Sequence, residues 1–308
     1  MSDPATPPDA HHRRLVAIAQ PDTEEAAEFV AAFDDVDDVE VELIETTGEE
    51  EVREVIARVV SEGVDTIASV GGDGALNLVI GGLWDAGGGG GAALRDVTVV
   101  PVRSGTVNLV SKTMGLDSLD TTVDAIVAGR SRAMDVGRSE AGVFVLNSSS
   151  GYDAAVIGDA ADHSDATLGQ VRFAVEGIKR LRDEDPVHVT VRCDGVQLHD
   201  GPAMSVVTMN IGERASDDFH VAPDAEIDDG LLDVAVIRAE SLSRFLGVIV
   251  KLALRRDVER RHLVRAQAEH VEIEWSRSVA SQRDGDADDE VTSLDVRVHP
   301  GALRIHCA

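Results

Sequence analysis

The sequence predicts an α/β domain followed by a β-rich domain, and three observations indicate this order. Segments typical of strands and helices alternate in the first half and lead into a glycine-rich turn at residues 71–74. After residue 133, seven short stretches rich in β-branched residues dominate. With 308 residues, the chain can form two hydrophobic cores. We therefore expect a parallel sheet with helices on both faces at 13–133 and a β-rich sandwich at 134–308.

The first domain follows a polar, proline-rich leader at residues 1–12, which we expect to be disordered. The predicted strands are Arg14–Gln20, Val39–Ile44, Thr66–Val70 and Asp96–Val102. The predicted helices are 22–33, one ending at Ser61, one beginning at Ala75, and 117–128. Thr47 and Glu50 have the spacing of a capping box for the second helix. In such sheets, ligands bind beyond the carboxyl ends of the strands.

The third strand ends in Gly71, Gly72 and Gly74, and a helix follows. Glycines permit positive φ and leave space for an anion beside the N–H groups of a helix N-terminus. This pattern favours a phosphate-binding turn, although the residues alone also allow a purely structural one. Asp73 would repel a phosphate, so we expect it to hold a bridging cation, hydrogen-bond the turn or act on a hydroxyl. The spacing fits neither the dinucleotide fingerprint nor the P-loop.

The chain is strongly acidic, with a net charge of −29 from 57 acidic and 28 basic residues, and it contains three lysines. Such a surface repels itself unless salt screens it, and at 1 M the screening length is about 3 Å. We expect a high-salt cytoplasm, such as that of a haloarchaeon; an ordinary acidic protein is the alternative. A basic surface for nucleic acid is not indicated. Because about 18 apolar residues nowhere run together, membrane contact is expected to be peripheral at most.

Gly-Gly-Asp-Gly after an apolar strand resembles the nucleotide loop of the diacylglycerol kinase, sphingosine kinase and NAD kinase superfamily. Residues 103–116 resemble the Pro-x-Gly-Thr-x-Asn segment of diacylglycerol-type lipid kinases. The resemblance implies that ATP contacts Thr46 or Thr47, Gly71, Gly72, Asp73, Gly74, Ala75, Asn77, Gly105, Thr106 and Asn108. Three positions depart from the pattern: two extra residues precede Gly105, Leu109 replaces an aspartate, and Ala75 replaces Thr or Ser.

The second half carries a segment at residues 222–233 that is similar to the Pro-x-Ala-x-x-Asp-Asp-Gly-x-Leu signature of diacylglycerol and bacterial lipid kinases. NAD kinases lack this signature. The resemblance implies a structural magnesium held by Glu226, Asp229 and the carbonyl of Leu231. Hard oxygen ligands on a tight turn suit magnesium. From the residues alone, such a turn is more often only a turn.

Asp284 and Gly285 begin a segment that resembles the Asp-Gly-Glu of diacylglycerol-type kinases. The resemblance implies that Asp284 is the general base that removes the proton of the acceptor hydroxyl. Asp286 stands where the family has glutamate. The acidic run 284–290 is alternatively a loop adapted to salt.

Five arginines between residues 255 and 265 reverse the local charge after an amphipathic helix predicted at 241–256. They are Arg255, Arg256, Arg260, Arg261 and Arg265. Such a cluster suits an anionic headgroup or membrane surface. The alternative, which the residues favour slightly, is a solvated helix end paired with Asp257 and Glu259.

The resemblance to the diacylglycerol and sphingosine kinase family therefore implies an ATP- and magnesium-dependent lipid kinase, which we expect in the cytoplasm. It would bind ATP between its two domains and transfer the γ-phosphoryl group to the hydroxyl of a diacylglycerol-like, archaeol-like or polyprenol acceptor. Asp73 is a second candidate catalytic residue beside Asp284. NAD kinase is one alternative, and a non-catalytic nucleotide- or lipid-binding regulator is another. Relatives often pair, which allows a homodimer.

Overall fold

The computed structural model describes residues 13–88, 91–104, 108–152, 185–211, 222, 225–239, 241–253, 256 and 258–308. The chain divides into two compact units. Unit 1 comprises the residues up to Arg132 together with Arg304–Ala308, and unit 2 comprises Ala133–Leu303. Within the described residues, every helix is too short or too polar to cross a bilayer.

Unit 1 contains a parallel sheet. Its strands are β1 (Arg13–Ala19), β2 (Val39–Glu45), β3 (Thr66–Gly71) and β4 (Thr98–Arg103). They lie in the order β2-β1-β3-β4, and all three pairings are parallel. Each strand lies within two residues of its predicted position. Residues Arg304 and Ile305 pair in parallel with Thr98 and Val99 of β4, so the chain end extends this sheet.

The helices of unit 1 are α1 (Glu24–Ala31), α2 (Glu49–Ser61), α3 (Asp73–Ala86), α4 (Ala92–Asp96), α5 (Leu109–Thr113) and α6 (Leu119–Val127). Phe29 of α1 and Ile126 of α6 share one core with Ala17 of β1. Val16 and Ile67 point to the opposite face, because side chains alternate along a strand, and both are also fully buried. Both faces of the sheet are therefore covered, as predicted.

The start of α2 differs from the prediction. Gly48 is the N-cap residue, and Thr47 pairs with Glu51 rather than with Glu50. Glu51 accepts hydrogen bonds from both the N–H and the hydroxyl of Thr47, at 2.8 and 3.0 Å. The predicted capping box was wrong because the helix begins one residue later than the Thr-x-x-Glu spacing requires.

Unit 2 is built from antiparallel strands around one long hairpin. The strands are β5 (Ser131–Ser139), β6 (Gly142–Phe144), β7 (Asn147–Gly151), β8 (Val187–Cys193), β9 (Val196–Ala203), β10 (Ser205–Met209), β11 (Leu232–Ile237), β12 (Leu263–Ala268), β13 (His270–Arg283) and β14 (Asp286–His306), with helix α7 (Leu242–Ala253) before β12. One half of β13 pairs with β8 and the other half with β7. The ladder between β13 and β14 is irregular between Glu274 and Ser281. Strand β13 therefore connects the β8–β9 pair with the β7–β10 pair.

Two hairpin turns share the sequence Asp-Gly and the same backbone geometry. Asp194-Gly195 joins β8 to β9, as predicted, and Asp284-Gly285 joins β13 to β14. All four residues have positive φ, between 50° and 95°. This geometry is typical of two-residue turns that match the twist of the strands.

Several boundaries in unit 2 differ from the prediction. The strand expected at 143–148 is two strands, and those expected at 270–275 and 294–298 belong to the much longer β13 and β14. Strands β5 and β12 were not predicted. The part of the expected second domain from Arg304 to Ala308 belongs to unit 1. The leader at 1–12 lies outside the described residues.

Candidate active site

A small pocket lies at the carboxyl ends of β3 and β4. Its space is about 170 Å³, including the part open to solvent. The lining residues are Ser69, Gly71, Gly72, Asp73, Leu76, Pro101, Val102, Asn108 and Ser111. The enclosed part of this space is about 10 Å³, which is room for about one water molecule. The pocket therefore marks the place where the polar groups of the two loops converge.

Asp73 connects the glycine turn to the segment after β4. One carboxylate oxygen accepts the N–H of Leu109 at 2.9 Å, and the other accepts the N–H of Val110 at 3.1 Å. These two N–H groups belong to the first turn of α5, where a helix leaves its donors without partners. Of the three roles predicted for Asp73, the structure has hydrogen bonding, although to the neighbouring loop rather than to its own turn.

The glycines of the turn act by their small size. None of Gly71, Gly72 and Gly74 has a positive φ, so the predicted conformational reason was wrong. A Cβ atom on Gly71 would lie 2.6 Å from the Cβ of Ala75, which is too close for two carbon atoms. A Cβ on Gly72 would meet nothing nearer than 3.9 Å, and Gly72 is exposed. Gly71 is therefore required for packing, whereas Gly72 leaves the backbone accessible.

Two buried polar atoms at this end of the sheet have no hydrogen-bond partner. They are the hydroxyl of Ser69, which lines the pocket, and the amide oxygen of Asn77 on α3. Ser69 is 1% exposed. An unsatisfied buried polar atom costs about 1–3 kcal/mol, so such atoms call for a reason. A polar ligand in the pocket would supply one.

The pocket brings together four of the predicted nucleotide-binding residues and adds two polar residues. Gly71, Gly72, Asp73 and Asn108 line it, whereas the predicted Gly74, Ala75, Asn77, Thr46 and Thr47 do not. Thr46 follows β2, where its N–H donates to the carbonyl of Ala19. Gly105 and Thr106 lie outside the described residues. Ser69 and Ser111 were missed, since a single serine in an apolar strand or in a short helix carries little signal.

Asn108 adopts an unusual backbone conformation. Its φ of 48° and ψ of 55° place it in the left-handed region, and its side chain is buried. Asparagine tolerates this region better than most residues do. This conformation precedes α5, whose first N–H groups bond to Asp73, so Asn108 and Asp73 together define the path of the loop.

Asp284 lies in unit 2 and is held by three backbone donors. Its Oδ2 accepts the N–H of Val145 at 2.8 Å, and its Oδ1 accepts those of Leu146 and Asn147 at 2.8 and 2.9 Å. The N–H of Asp284 in turn donates to the carbonyl of Asn147. Asp284 is 9% exposed.

Burial raises the pKa of Asp284 to about 7, while the three backbone N–H groups and the charge of Arg283 act in the opposite direction. Arg283 is itself committed to a two-point ion pair with Asp288, at 2.8 Å for both bonds. Asp194 occupies the same position in the other Asp-Gly turn and also accepts backbone N–H groups, from Glu269 and His270, but it is exposed. The turn alone therefore does not require a buried carboxylate.

A buried glutamine supports the environment of Asp284. The Nε2 of Gln282 donates to the Oδ1 of Asn147 at 2.6 Å and to the Oγ of Ser149 at 2.7 Å. Its Oε1 accepts the N–H of Gly285 at 2.8 Å. Gln282 thereby joins the turn that carries Asp284 to the strand segment that donates to Asp284. No local pattern in the chain singles out Gln282.

The predicted metal turn contains exposed acids above a buried one. Glu226 and Asp229 are exposed, and Asp229 accepts the N–H of Leu231 at 2.9 Å. Beneath them, Asp135 is 1% exposed and accepts the N–H groups of Gly230 and Gly301 at 2.7 and 2.6 Å. Burial raises the pKa of Asp135, and the charges of Asp229 and Asp228 raise it further. Asp135, which the sequence did not single out, fixes the turn.

The donor set of this turn fits magnesium. Carboxylates and a carbonyl are hard oxygen ligands, and a cation would relieve the repulsion among the acids. Among the described residues, one group of three side chains has ligand atoms within 4.8 Å of one another, close enough to share a metal ion. It consists of His270, Glu272 and Asp295 and lies outside this turn. The turn at residues 226–231 offers two carboxylates and a carbonyl, so water would complete the coordination.

Comparisons with known proteins agree with both units. Residues 20–139 match the diacylglycerol kinase catalytic domain, and residues 147–307 match the YegS C-terminal NAD kinase beta sandwich-like domain. The chain belongs to the diacylglycerol kinase-like family of lipid kinases. The predicted family and fold class are thereby confirmed.

The individual proteins that this chain resembles are distant from it in sequence. The diacylglycerol kinase of Bacillus subtilis (strain 168) is 24% identical over 227 residues, which cover 72% of this chain and 71% of that protein. A crystal structure of a diacylglycerol kinase from Bacillus anthracis str. Sterne has a TM-score of 0.68 at 16% identity, covering 96% of this chain and 97% of that one. An NAD kinase from Archaeoglobus fulgidus in complex with ATP has a TM-score of 0.53 at 14% identity, covering 96% and 93%. These structures show the shared fold.

Proposed function

We propose that this chain is an ATP-dependent lipid kinase that transfers the γ-phosphoryl group of ATP to the hydroxyl of a lipid alcohol. The chain's membership of a lipid kinase family supports the reaction class. The observation that carries the mechanism is the environment of Asp284: a buried carboxyl whose pKa is about 7 and whose Oδ2 accepts a single N–H. A general base is most effective when its pKa lies near the working pH.

The carboxylate of Asp284 can accept one more hydrogen bond. Each carboxylate oxygen has two acceptor positions. Oδ1 uses both, for Leu146 and Asn147, whereas Oδ2 uses one, for Val145. The second position on Oδ2 is therefore the one that we assign to the hydroxyl of the acceptor lipid.

The proposed step is a direct displacement. The acceptor oxygen forms a bond to the γ-phosphorus, the bond from that phosphorus to the β,γ-bridging oxygen breaks, and ADP leaves. The hydroxyl proton passes to the Oδ2 of Asp284. Such transfers depend chiefly on positioning and on neutralisation of charge.

The glycine turn of unit 1 is the proposed site for the phosphates. The exposed backbone at Gly72, the unsatisfied hydroxyl of Ser69 and the N-terminus of α3 favour an anionic polar ligand there. Asp73 holds Leu109 and Val110 and so shapes the pocket wall, which gives it a positioning role in the proposal. The NAD kinase from Archaeoglobus fulgidus, whose crystal structure is a complex with ATP, supports nucleotide use within this fold.

Magnesium is proposed in two places. Bound to the phosphates, it would neutralise their charge. At the turn of Glu226, Asp229 and the Leu231 carbonyl, it would hold exposed acids together. The proposed acceptor class is a lipid alcohol, of which diacylglycerol, archaeol-like and polyprenol compounds are members.

Radiolabelled ATP with magnesium tests the proposal directly. Purified protein is incubated with dispersed diacylglycerol, a dialkylglycerol ether, a polyprenol, or NAD, and the label is followed into organic and aqueous products. We expect label in a lipid product. Label in NADP instead would make the chain an NAD kinase, and ATP binding without any product would make it a regulator; either result overturns the proposal.

Variants connect that activity to Asp284. Asp284→Asn keeps the size of the side chain but cannot take the proton, and a loss of about 10²–10⁴-fold in rate is expected for removal of a general base. Asp194→Asn is the matched control, because it makes the same change in the equivalent, exposed turn position. Equal rates for both variants would show that Asp284 is not the base.

A further inference from the structure

Basic side chains lie along helix α7, in the segment that follows it and at the start of β12. We call this set the basic surface. It consists of Arg244, Lys251, Arg256, Arg260, Arg261 and Arg265. Between residues 238 and 265 the sequence has eight basic and three acidic residues, a local charge of +5 in a chain of charge −29. This reversal is the strongest departure from the acidic composition of the chain.

Side-chain contacts connect helix α7 with the segment before β12. The Nη1 of Arg244 on α7 lies 3.4 Å from the Nε2 of His262, next to Arg261. Lys251 on α7 lies 3.9 Å from Glu259, which also pairs with Arg261 at 2.6 Å. Glu259 and His262 therefore both contact side chains of α7, and Lys251 and Arg261 meet at the same acid.

Arg265 extends this surface onto the sheet. It lies on β12 opposite Ala235, which belongs to the core beneath α7. Leu263, two residues earlier on the same side of β12, also belongs to that core. Because side chains alternate along a strand, Arg265 projects on the side of the sheet that carries α7.

The basic surface is open to solvent, and its segment holds few acids. All five of its arginines are exposed. Among the described residues of 241–265, Glu259 is the one acid, and it is shared between Lys251 and Arg261. Glu240, Arg255 and Asp257 lie outside the described residues. The predicted pairing with Glu259 is therefore present for Lys251 and Arg261.

Arginine is suited to phosphate, because its planar guanidinium donates two parallel hydrogen bonds to phosphate oxygens. An anionic lipid bilayer presents many phosphate groups on one surface. The rest of the chain is acidic and would be repelled by that bilayer, so attraction at one place and repulsion elsewhere would orient the protein. A polyanionic nucleic acid would meet the same repulsion from most of the chain.

We propose that the basic surface docks the protein on the phosphate headgroups of an anionic bilayer. The proposal rests on the proposed function, because a kinase that acts on a lipid alcohol must reach a substrate held in a membrane. Each basic residue near such a surface contributes about 1 kcal/mol at physiological ionic strength. The attraction weakens as salt rises, and at molar salt only groups in direct contact retain it.

Vesicle sedimentation tests this docking without requiring turnover. The full chain is mixed with vesicles of phosphatidylglycerol or of phosphatidylcholine at about 0.1 M salt, and the bound fraction is measured. We expect the protein to bind phosphatidylglycerol vesicles. In the double variant Arg260→Glu, Arg261→Glu, the binding constant obtained from the bound fraction should fall by about thirtyfold or more. The milder Arg260→Gln, Arg261→Gln should show an intermediate loss.

A matched control makes the same charge change elsewhere. Arg58 and Arg95 are exposed on helices of unit 1, and Arg58→Glu with Arg95→Glu should bind vesicles nearly as well as the unmodified protein. Equal loss in both double variants, or equal binding to phosphatidylcholine, would overturn the proposal. Release of the protein by inorganic phosphate, at a concentration equal to that of the lipid phosphate, would also overturn it, since that would make the surface a site for single anions.

An activity assay separates this proposal from the proposed function. With a short-chain acceptor dissolved in water, the Arg260→Glu, Arg261→Glu variant should keep its rate, because neither residue belongs to the candidate active site. With the acceptor in phosphatidylglycerol vesicles, its rate should fall in parallel with binding. Vesicle binding by a protein without kinase activity would support the docking surface and overturn only the function.

Discussion

Asp73 and Leu109 are 36 residues apart in the sequence, and the carboxylate of the first accepts the N–H of the second at 2.9 Å. The bond joins the turn after β3 to the first turn of α5, which follows β4. Since the second oxygen of Asp73 accepts the N–H of Val110, both donors of that helix start depend on one side chain. The shape of the pocket therefore depends on a carboxylate that acts through the neighbouring loop.

Replacing Asp73 by alanine should weaken both stability and nucleotide binding. Two N–H groups would lose their acceptor, and loss of a capping side chain costs about 0.5–2 kcal/mol. We expect a lower midpoint in urea and a higher dissociation constant for ATP, measured by calorimetry.

Two further variants define the role of Asp73. Asp73→Asn keeps one acceptor oxygen and should retain more affinity than Asp73→Ala. Asp120→Ala removes an exposed acid from the first turn of α6 and should leave ATP binding intact. Unchanged binding and catalysis in Asp73→Ala would contradict a positioning role.

The rate of phosphoryl transfer should rise with pH up to about 7 and then level off. Burial raises the pKa of Asp284 to about 7, and only the deprotonated carboxylate can take a proton. Below that pH, kcat/KM should fall about tenfold per unit, since one proton inactivates the base. The profile is measured with a water-soluble acceptor, and a midpoint near that of an ordinary aspartate, about 4, would contradict the assignment.

The contribution of Asp284 to stability should fall as pH rises from about 4 to about 7, whereas the rate should rise. An unfolded aspartate releases its proton near pH 3.9, whereas folded Asp284 holds it until about pH 7. Between these values the folded state binds more protons, so the contribution of Asp284 to the free energy of unfolding falls as pH rises. Asp284→Asn should remove this contribution, and Asp194→Asn should leave it in place.

The fold was largely readable from the sequence because local patterns agreed with the tertiary structure. Thr66–Gly71 is a buried strand, and its β-branched residues and the glycine turn that follows favour a strand over a helix. β12 was missed because Arg265 and Gln267 interrupt its apolar pattern at the edge of the sheet. The length of β13 was missed because its irregularity after Glu274 breaks the alternation of buried and exposed side chains.

The candidate site was readable where a residue type suggests chemistry or where a segment resembles a family motif. Asp73 could be selected because it is a carboxylate within a glycine turn, and Asp284 could be selected through its resemblance to the Asp-Gly-Glu of diacylglycerol-type kinases. Asp135 and Gln282 could not, since their roles arise from contacts 95 and 135 residues away in sequence. Residues that act by supporting others leave no local pattern.

Magnesium should stabilise unit 2 through the turn of Glu226 and Asp229. At a free concentration one hundred times its dissociation constant, a ligand that binds only the folded state stabilises it by about 2.7 kcal/mol. The melting temperature should therefore rise by several degrees with magnesium chloride. The double variant Glu226→Gln, Asp229→Asn should lose this response.

The matched control for magnesium is Glu269→Gln with Asp289→Asn, which removes two exposed acids elsewhere in unit 2. It should respond to magnesium as the unmodified protein does. An equal response in both double variants would mean that magnesium only screens the acidic surface.

Salt should stabilise the whole chain. With a net charge of −29, repulsion among surface carboxylates opposes folding at low ionic strength, and molar salt shortens the screening length to about 3 Å. We expect the urea midpoint to rise as potassium chloride increases from about 0.1 M to molar concentrations. Sucrose, which carries no charge, is the control, and a midpoint independent of potassium chloride would contradict the expected adaptation to salt.

Gln282 should act on the reaction through Asp284. Gln282→Met has a similar size but loses the bonds to Asn147, Ser149 and Gly285, each worth about 1–3 kcal/mol if its partner stays unpaired. Because Asn147 also donates to Asp284, a displaced Asn147 would stabilise the carboxylate less and raise its pKa. The midpoint of the pH–rate profile should therefore move above that of the unmodified enzyme. Ser281→Ala, which removes one hydroxyl bond to the carbonyl of Asp289, is the adjacent control and should leave the midpoint in place. A variant Gln282→Met that is less stable yet titrates like the unmodified enzyme would make Gln282 a structural residue only.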